Sequence, residues 1–258
     1  YAPPPGFRTL FEKRLYDGEI AWMDSQLKRL FDHLRGQGLA DNTVVVATAD
    51  HGESLGEHGE ETHGVFLYDS TLRVPLIVRY PPRIPAGTKF SGVVSGVDLA
   101  PTVLALMGLP PMAMAQGESC AVRLLGGDAP ERDVAYAESL FGQRAYGWAP
   151  LHALRSSKEK FVDAPEAELY NLERDPSETI NLAAKDAKAV AETWRPSIEE
   201  ALRVIGGASP EPTAARNGRA ASRDPKELIA ASNLFLRAQL AVGRMRAQRR
   251  LLGKKKTR

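Results

Sequence analysis

Apolar positions in the first hundred residues follow helical spacing, then strand spacing, then helical spacing again. Between residues 16 and 38 they recur every three or four positions, which predicts an amphipathic helix that ends at two glycines. Three strands are predicted, at residues 43–47 (TVVVA, buried), 74–80 (VPLIVRY) and 90–97. A further helix is predicted over 99–107 with Asp98 as its cap. This order of elements predicts an α/β sandwich with a largely parallel sheet.

The pattern changes after Gly126 and Gly127, where the apolar runs become short and are broken by Gly and Pro. Four such runs predict a small antiparallel sheet, at residues 134–137, 151–155, 160–162 and 168–170. A helix over about 183–204 would pack on that sheet, which makes a small α+β subdomain. The predicted organisation is a first domain at 1–126, the subdomain at 127–207, a linker at 208–224 and a helical tail at 225–258.

Charge is distributed unevenly along the chain. The 258 residues are 43% hydrophobic and 26% charged, an ordinary globular composition, and the net charge is only +2. From Arg216 onward, however, thirteen Lys or Arg face two acidic residues, so the tail is strongly basic and the rest is acidic. We expect the tail to attract an anionic surface or a protein partner, or to be a solvated end, and we expect no specific nucleic-acid binding.

Candidate chemistry is concentrated in residues 48–64 (TADHGESLGEHGEETHG), called the histidine loop here, which hold three of the five histidines. Asp50 and His51 come directly after the first predicted strand, at an edge where α/β sheets bind ligands. A carboxylate beside an imidazole suits a divalent cation: calcium, magnesium or manganese by its oxygen, zinc or iron by its nitrogen. A polar surface loop without chemistry is the alternative.

With its flanks, the histidine loop resembles the sulfatase family of the alkaline phosphatase superfamily. The resemblance covers roughly residues 1–200 and is specific through the order and spacing of its motifs. These are YDGEI at 16–20 with Asp24, DHGE at 50–53, LGEHG at 55–59, LRVPLIV at 72–78, DLAPT at 98–102, ELYNL at 168–172, Asp175-Pro176, Glu178 and Asn181-Leu182. It implies an alkaline-phosphatase-like α/β sandwich, of which this chain is the C-terminal part, followed by the small antiparallel subdomain.

The resemblance also implies roles for the loop residues. Asp50 and His51 become metal ligands, for calcium above all, with manganese or zinc also possible. His63 stands where the family often carries a lysine that contacts the ester oxygen, and it becomes the candidate catalytic residue, because an imidazole can also donate a proton to a leaving oxygen. His58 is expected to support its neighbours rather than to react.

One family feature is absent from the sequence. Sulfatases form a formylglycine nucleophile from a Cys/Ser-x-Pro-x-Arg motif, and Cys120 is followed by Ala121, Val122 and Arg123 instead. We therefore expect the chain to be a fragment that lacks the N-terminal, nucleophile-bearing half and is inactive alone, an expectation that agrees with its start at Tyr1.

The complete protein is expected to be a metal-dependent sulfuric ester hydrolase that acts on a small-molecule or glycan sulfate ester. The alternatives are a phosphodiesterase, phosphonate monoester hydrolase or phospho-group transferase of the same superfamily, and a non-catalytic remnant that binds an anion or a partner. Residues 226–243 faintly resemble part of a tetratricopeptide unit. By the same resemblance, the compartment is expected to be extracytoplasmic or membrane-associated.

Overall fold

The computed structural model describes residues 1–113, 115–129 and 132–206. The predicted linker at 208–224 and the predicted basic helical tail at 225–258, with its possible tetratricopeptide unit, lie outside these residues. The helices are α1 (Pro5–Leu10), α2 (Leu15–Gly36), α3 (Asp69–Leu72), α4 (Leu99–Leu106), α5 (Ala121–Leu124), α6 (Phe141–Tyr146), α7 (Ala187–Ala189) and α8 (Arg195–Gly206). The strands are β1 (Val45–Thr48), β2 (Leu76–Arg79), β3 (Val134–Ser139), β4 (Leu151–Ser156), β5 (Glu159–Asp163) and β6 (Glu168–Asn171). In this described part, no helix is both long and apolar enough to cross a membrane.

The strands β1 and β2 pair with each other in antiparallel register, Val45 opposite Arg79. The predicted parallel sheet is therefore wrong for the described residues. A parallel pair needs a crossover, usually through a helix, whereas the only α-helix between β1 and β2 is the single turn α3. The predicted strand at 90–97 is also wrong, since this segment forms only one isolated bridge, between Val93 and Arg132.

The first strand was predicted to be buried, and in the described residues it is not. Ala47 and Thr48 are exposed, and on β2 the side chain of Ile77 is 63% exposed. The reason is that, within the described part of the chain, each of these two strands has only the other as a neighbouring strand, so their outer edges and part of their faces are not covered there. The predicted long helix α2 is confirmed. Several of its large apolar side chains are exposed as well: Ile20, Trp22, Met23, Leu27 and Leu30.

The four strands β3 to β6 form an antiparallel sheet in sequential order, which confirms the predicted small sheet. Its core is apolar and closed: Leu154 and Phe161 from the sheet pack with Val190 and Ile198 from the helical segment that follows. That segment begins at Ala187, later than predicted, because the Asp186 carboxylate caps it by accepting a hydrogen bond from the Ala189 amide. It continues through a π-helical turn at Val190–Trp194 into α8.

A buried cluster of charges joins this sheet to α3. The Lys160 side chain on β5 is fully buried, and its ammonium group lies 3.0 Å from Asp69 Oδ1 and also contacts Glu178. Arg155 forms a second ion pair with Asp69 at 3.0 Å. Burial alone would raise the pKa of Asp69, but the hydrogen bond from Arg155 and the Lys160 charge outweigh it and lower the pKa. The cluster therefore fixes the position of α3, and α3 follows the histidine loop and contacts it.

Asp98 stands at the predicted N-cap of α4, but its side chain forms no cap bond to that helix. The carboxylate instead accepts hydrogen bonds from the Ser95 and Glu118 amides and pairs with Arg132 at 2.7 Å. Because three segments converge on one buried carboxylate, Asp98 organises residues 95–132 rather than a single helix end.

Candidate functional site

The strand β1 ends at Thr48 and leads directly to Asp50 and His51, as the sequence predicted. Gly52 then approaches α3 closely, and its amide donates a 2.7 Å hydrogen bond to the Thr71 carbonyl. A Cβ at Gly52 would lie 2.2 Å from the Ser70 carbonyl oxygen, so this position requires glycine. Thus α3 holds the backbone immediately after the Asp–His pair in place.

The hydrogen bonds of His51 leave one ring nitrogen available. Its Nδ1 lies 2.8 Å from the Gly52 carbonyl oxygen. A carbonyl only accepts, so Nδ1 donates this hydrogen bond, and in the neutral ring Nε2 then carries the lone pair, the arrangement typical of a metal-ligating histidine. Nε2 lies 3.6 Å from Asp50 Oδ2, and the Asp50 side chain is 89% exposed. One imidazole nitrogen and one carboxylate oxygen therefore lie close together at the surface.

His63 lies against this pair. The centroids of its ring and the His51 ring are 4.0 Å apart, with the planes tilted by 31°. Its Nδ1 lies 3.2 Å from Glu53 Oε1, and the Glu53 side chain is mostly buried. The structure thus brings together all three residues that the sequence singled out. It also adds Glu53, which belongs to the DHGE motif but had no predicted role.

His58 lies in a different environment. Its backbone adopts a left-handed conformation (φ 53°), and its ring stacks on Tyr68 with centroids 3.6 Å apart. The Tyr68 hydroxyl in turn contacts Glu168 of the small sheet at 3.3 Å. Burial, with a smaller contribution from Glu168, raises the pKa of Tyr68, so its hydroxyl stays protonated and can donate. His58 is thereby part of the packing between the loop and the small sheet.

Two buried polar residues shape the interior of the loop. The Ser54 amide donates to the Thr62 carbonyl at 2.7 Å, which joins the two arms. Glu60 accepts hydrogen bonds from the Val65 amide at 2.9 Å and the Phe66 amide at 3.4 Å. Burial raises the pKa of Glu60, and these two hydrogen bonds oppose the rise. This role was not predicted, because the order of residues along an irregular loop does not indicate which acidic side chain is buried.

The side chains of the site include two that could ligate a divalent cation. Across the part of the chain that the structure describes, no three His, Cys, Asp or Glu side chains are grouped as a metal site. Asp50 and His51 fit a cation chemically, one hard oxygen and one free imidazole nitrogen, but they supply only part of a coordination shell. Cys120 is not part of the site: its amide and its sulfur both bond the Thr102 hydroxyl, beside α4.

This chain is similar in sequence to proteins named as sulfatases. Residues 12–109 match the sulfatase family model. An N-acetylglucosamine-6-O-sulfatase of Bacteroides thetaiotaomicron is 33% identical over 179 residues, 67% of this chain and 32% of that protein. A Drosophila melanogaster protein named as an extracellular sulfatase homologue is 35% identical over 124 residues, 48% of this chain and 11% of that protein. The chain spans about a third or less of the length of these relatives.

Solved structures agree in fold. BT4656, solved in complex with its substrate D-glucosamine-2-N,6-O-disulfate, matches with a TM-score of 0.64 and 30% identity, over 74% of this chain and 40% of that one. The phosphonate monoester hydrolase of Agrobacterium radiobacter matches with a TM-score of 0.65 and 29% identity, over 74% of this chain and 41% of that one. The predicted alkaline-phosphatase-like α/β fold with a small antiparallel sheet is thereby confirmed, and the predicted resemblance to the sulfatase family is confirmed by the match over residues 12–109.

Proposed function

We propose that this chain forms the C-terminal part of a sulfuric ester hydrolase that cleaves a sulfate ester of a glycan. The observation that carries the proposal is the contact between the His63 and His51 rings, with centroids 4.0 Å apart, beside Asp50. In the proposed function, this contact would bring a proton donor next to two metal ligands. The glycan is inferred from the relatives, one named for acetylglucosamine 6-O-sulfate and one solved with a sulfated glucosamine.

Asp50 and His51 would hold a divalent cation, calcium in our proposal, with manganese or zinc as alternatives. When bound, such a cation supplies positive charge that neutralises the ester oxygens. In this proposal, His63 of this chain supplies the proton for the leaving oxygen. Nδ1 of His63 lies 3.2 Å from Glu53 Oε1, so Nε2 would be the ring nitrogen left for the substrate. A proton on Nε2 can then be donated to the ester oxygen as its bond to sulfur breaks.

The nucleophile and the remaining ligands would come from a segment outside this chain. Two observations support this proposal. The chain spans about a third of the acetylglucosamine sulfatase that it matches, and α2 and β2 expose large apolar side chains that a further segment would cover. Because one relative is named as extracellular, we propose an extracytoplasmic location for the complete enzyme.

A phosphonate monoester hydrolase is the second candidate, favoured by the likeness to the Agrobacterium radiobacter enzyme. The two activities are separated by comparing kcat/KM of the complete enzyme for an aryl sulfate and for an aryl phosphonate monoester. A preference for the phosphonate would replace the sulfatase proposal with this one.

The role of His63 is tested by substitution in the complete enzyme. His63→Ala should reduce turnover of a chromogenic sulfate ester by about a hundred- to ten-thousand-fold, the usual contribution of a general acid, while the melting temperature is retained. His63→Lys, which restores the common family residue, should keep more activity than His63→Ala.

His58→Ala is the matched control. Because it removes the stacking on Tyr68, it should lower the melting temperature while substantial activity remains in the cold. A fully active His63→Ala beside a folded but inactive His58→Ala would show that the two roles are reversed.

The proposed metal site is tested by calcium titration of this chain alone. Two ligands give an incomplete shell, since calcium takes six to eight oxygen ligands in proteins. Calorimetry should therefore show at most weak binding, which Asp50→Asn abolishes. Tight stoichiometric binding would mean that the shell is complete within this chain, and the proposal of a missing segment would fail.

A further inference from the structure

The motif YDGEI at residues 16–20, which has no role in the proposed function, holds the first residues of the chain. The Ala2 amide donates a 2.6 Å hydrogen bond to Glu19 Oε1. The ring of Tyr1 lies edge-on against the ring of Tyr16, with centroids 5.2 Å apart. The beginning of α2 therefore fixes the position of Tyr1.

Tyr1 connects this motif to the histidine loop, because its hydroxyl contacts Glu53. Burial, followed by the charge of Glu53 and a hydrogen bond to it, raises the pKa of the Tyr1 hydroxyl. The phenol therefore stays protonated at neutral pH and can donate to the carboxylate. The Glu53 side chain is only 13% exposed, so it depends on such donors to replace the water that burial removes.

His63 provides a second contact to the same carboxylate. Its Nδ1 lies 3.2 Å from Glu53 Oε1, although its own side chain is 42% exposed. A carboxylate only accepts, so Nδ1 is the donor. A neutral imidazole can carry its proton on either nitrogen, and an acceptor beside Nδ1 favours the form that is protonated there. Glu53 thus contacts the one nitrogen of His63 that the proposed chemistry does not use.

We propose that Glu53, supported by Tyr1, is a positioning residue that orients His63 for proton donation. The inference rests on the proposed function, in which His63 protonates the leaving oxygen. In that step the bond between sulfur and oxygen breaks, its electron pair stays on the oxygen, and the oxygen takes the proton from Nε2. The ring changes from charged to neutral and keeps its Nδ1 proton, which Glu53 would hold throughout.

The alternative is that Glu53 only supports the fold of the loop, and the coupling between Glu53 and His63 separates the two roles. A residue that acts through His63 has nothing to position once the imidazole is removed. A residue that only supports the loop should cost the same activity whether or not His63 is present.

The first test is a double-mutant cycle in the complete enzyme, with turnover of a sulfate ester as the readout. Glu53→Ala should lower kcat about a hundredfold, the usual cost of a misplaced catalytic group, while KM changes less than about threefold. In the His63→Ala background, the same substitution should lower kcat by less than about threefold. Glu53→Gln keeps an oxygen acceptor and should retain more turnover than Glu53→Ala.

Two further variants complete the cycle. Tyr1→Phe removes only the hydroxyl and should lower kcat about three- to tenfold, which corresponds to one net hydrogen bond. Glu61→Ala is the matched control, because Glu61 is an exposed glutamate of the same loop, and it should behave as wild type.

The second test needs no turnover. With isotope-labelled histidine rings in the complete enzyme, nuclear magnetic resonance shows which nitrogen of the neutral His63 ring carries the proton. We expect the proton on Nδ1 in the wild type and in Glu61→Ala. In Glu53→Ala a substantial fraction should move to Nε2, because the acceptor beside Nδ1 is gone. The His63 signals are identified by their loss in His63→Ala.

The inference is overturned if Glu53→Ala keeps its turnover, if its cost is the same with and without His63, or if the His63 proton stays on Nδ1. A Tyr1→Phe enzyme that equals wild type would overturn the supporting role of Tyr1. Thermal melts identify loss of folding, and if Glu53→Ala does not fold, Glu53→Leu, which fills the space without an acceptor, replaces it in both tests.

Failure of the proposed function gives a different result. A His63→Ala enzyme that turns over like wild type would refute the acid role of His63. A proton that leaves Nδ1 in Glu53→Ala would then still support the orientation of the ring by Glu53.

Discussion

Two regions of this chain, α2 with β1 and β2 on one side and the β3–β6 sheet with α8 on the other, differ in how they bury their apolar residues. In the second region Phe161 is completely buried and Ile198 is 2% exposed. In the first, Met23 is 52% exposed and Ile77 is 63% exposed. The four-stranded sheet and its helix form a closed core within the described residues, whereas the first region presents an apolar surface that is typical of an interface.

This difference bears on function because the candidate site belongs to the uncovered region. The segment between β1 and β2 contains the histidine loop and α3. The charge cluster of the small sheet holds α3, which in turn contacts the loop. The sheet therefore acts as the rigid support of the loop. The Asp50 side chain is 89% exposed and the His51 side chain 45% exposed, so the proposed ligands and substrate would reach them from solvent.

The largest expected effect on the free energy of unfolding comes from a substitution in the closed core. Phe161→Ala should lower the free energy of unfolding by about 4 kcal/mol, because it leaves a cavity among Leu154, Val190 and Ile198. Met23→Ala on α2 should change it by less than about 0.5 kcal/mol, since the side chain is already exposed and alanine favours helices. Urea denaturation of both variants measures the contrast. Similar losses for the two would show that α2 is covered in solution, for example by a second copy of the chain.

The second largest expected loss of stability comes from a substitution in the charge cluster between the two regions. Lys160→Met should cost about 3 kcal/mol, because Glu178 and part of the Asp69 carboxylate would stay buried without their cation. Lys158→Met is the matched control: its side chain is 68% exposed, its ion pair with Glu173 is 3.7 Å long, and we expect almost no change. Chemical denaturation again supplies the numbers. A Lys160→Met variant as stable as wild type would mean that the cluster contributes specificity but no net stability.

Much of the fold was predictable because the spacing of apolar residues indicates which face of a helix or strand is buried. The helix α2, the helix α4 and the four strands of the small sheet were found within a few residues of their bounds. The antiparallel pairing of β1 and β2 was not, since strand direction depends on the connection and not on the strand's own residues. The segment 90–97 was wrong for a related reason: Val93 is buried, but its backbone pairs with the described residues only through the isolated bridge to Arg132.

The site was predictable in part. Asp50, His51 and His63 stood out through residue type and position, and the structure places them together, although their roles as ligands and acid remain predictions. Glu53 lies in the DHGE motif, but its contact with His63 could not be found from sequence. The two residues are ten positions apart, and only the fold brings them together.

The smallest expected effect is at the contact between Tyr68 and the small sheet. Glu168 accepts hydrogen bonds from the Tyr68 and Tyr170 hydroxyls, and burial raises its pKa above the ordinary value of 4.5. A raised pKa means that ionised Glu168 costs the folded state stability at neutral pH. That cost falls as the pH drops through the folded pKa, because the folded protein then binds the proton more readily than the unfolded chain.

Glu168→Gln keeps an oxygen acceptor and removes the buried charge. It should therefore stabilise the protein at pH 7 by about 0.5 to 1 kcal/mol, the size of one net hydrogen bond, and the advantage should shrink as the pH approaches 4.5. Denaturation at several pH values measures it, with the exposed Glu166→Gln as the control that should match wild type throughout. If Glu168→Gln instead destabilises at pH 7 and the loss grows with pH, the ionised carboxylate is the favoured partner of the two tyrosines. The contact between the histidine loop and its supporting sheet would then depend on charge, as the Lys160 cluster does.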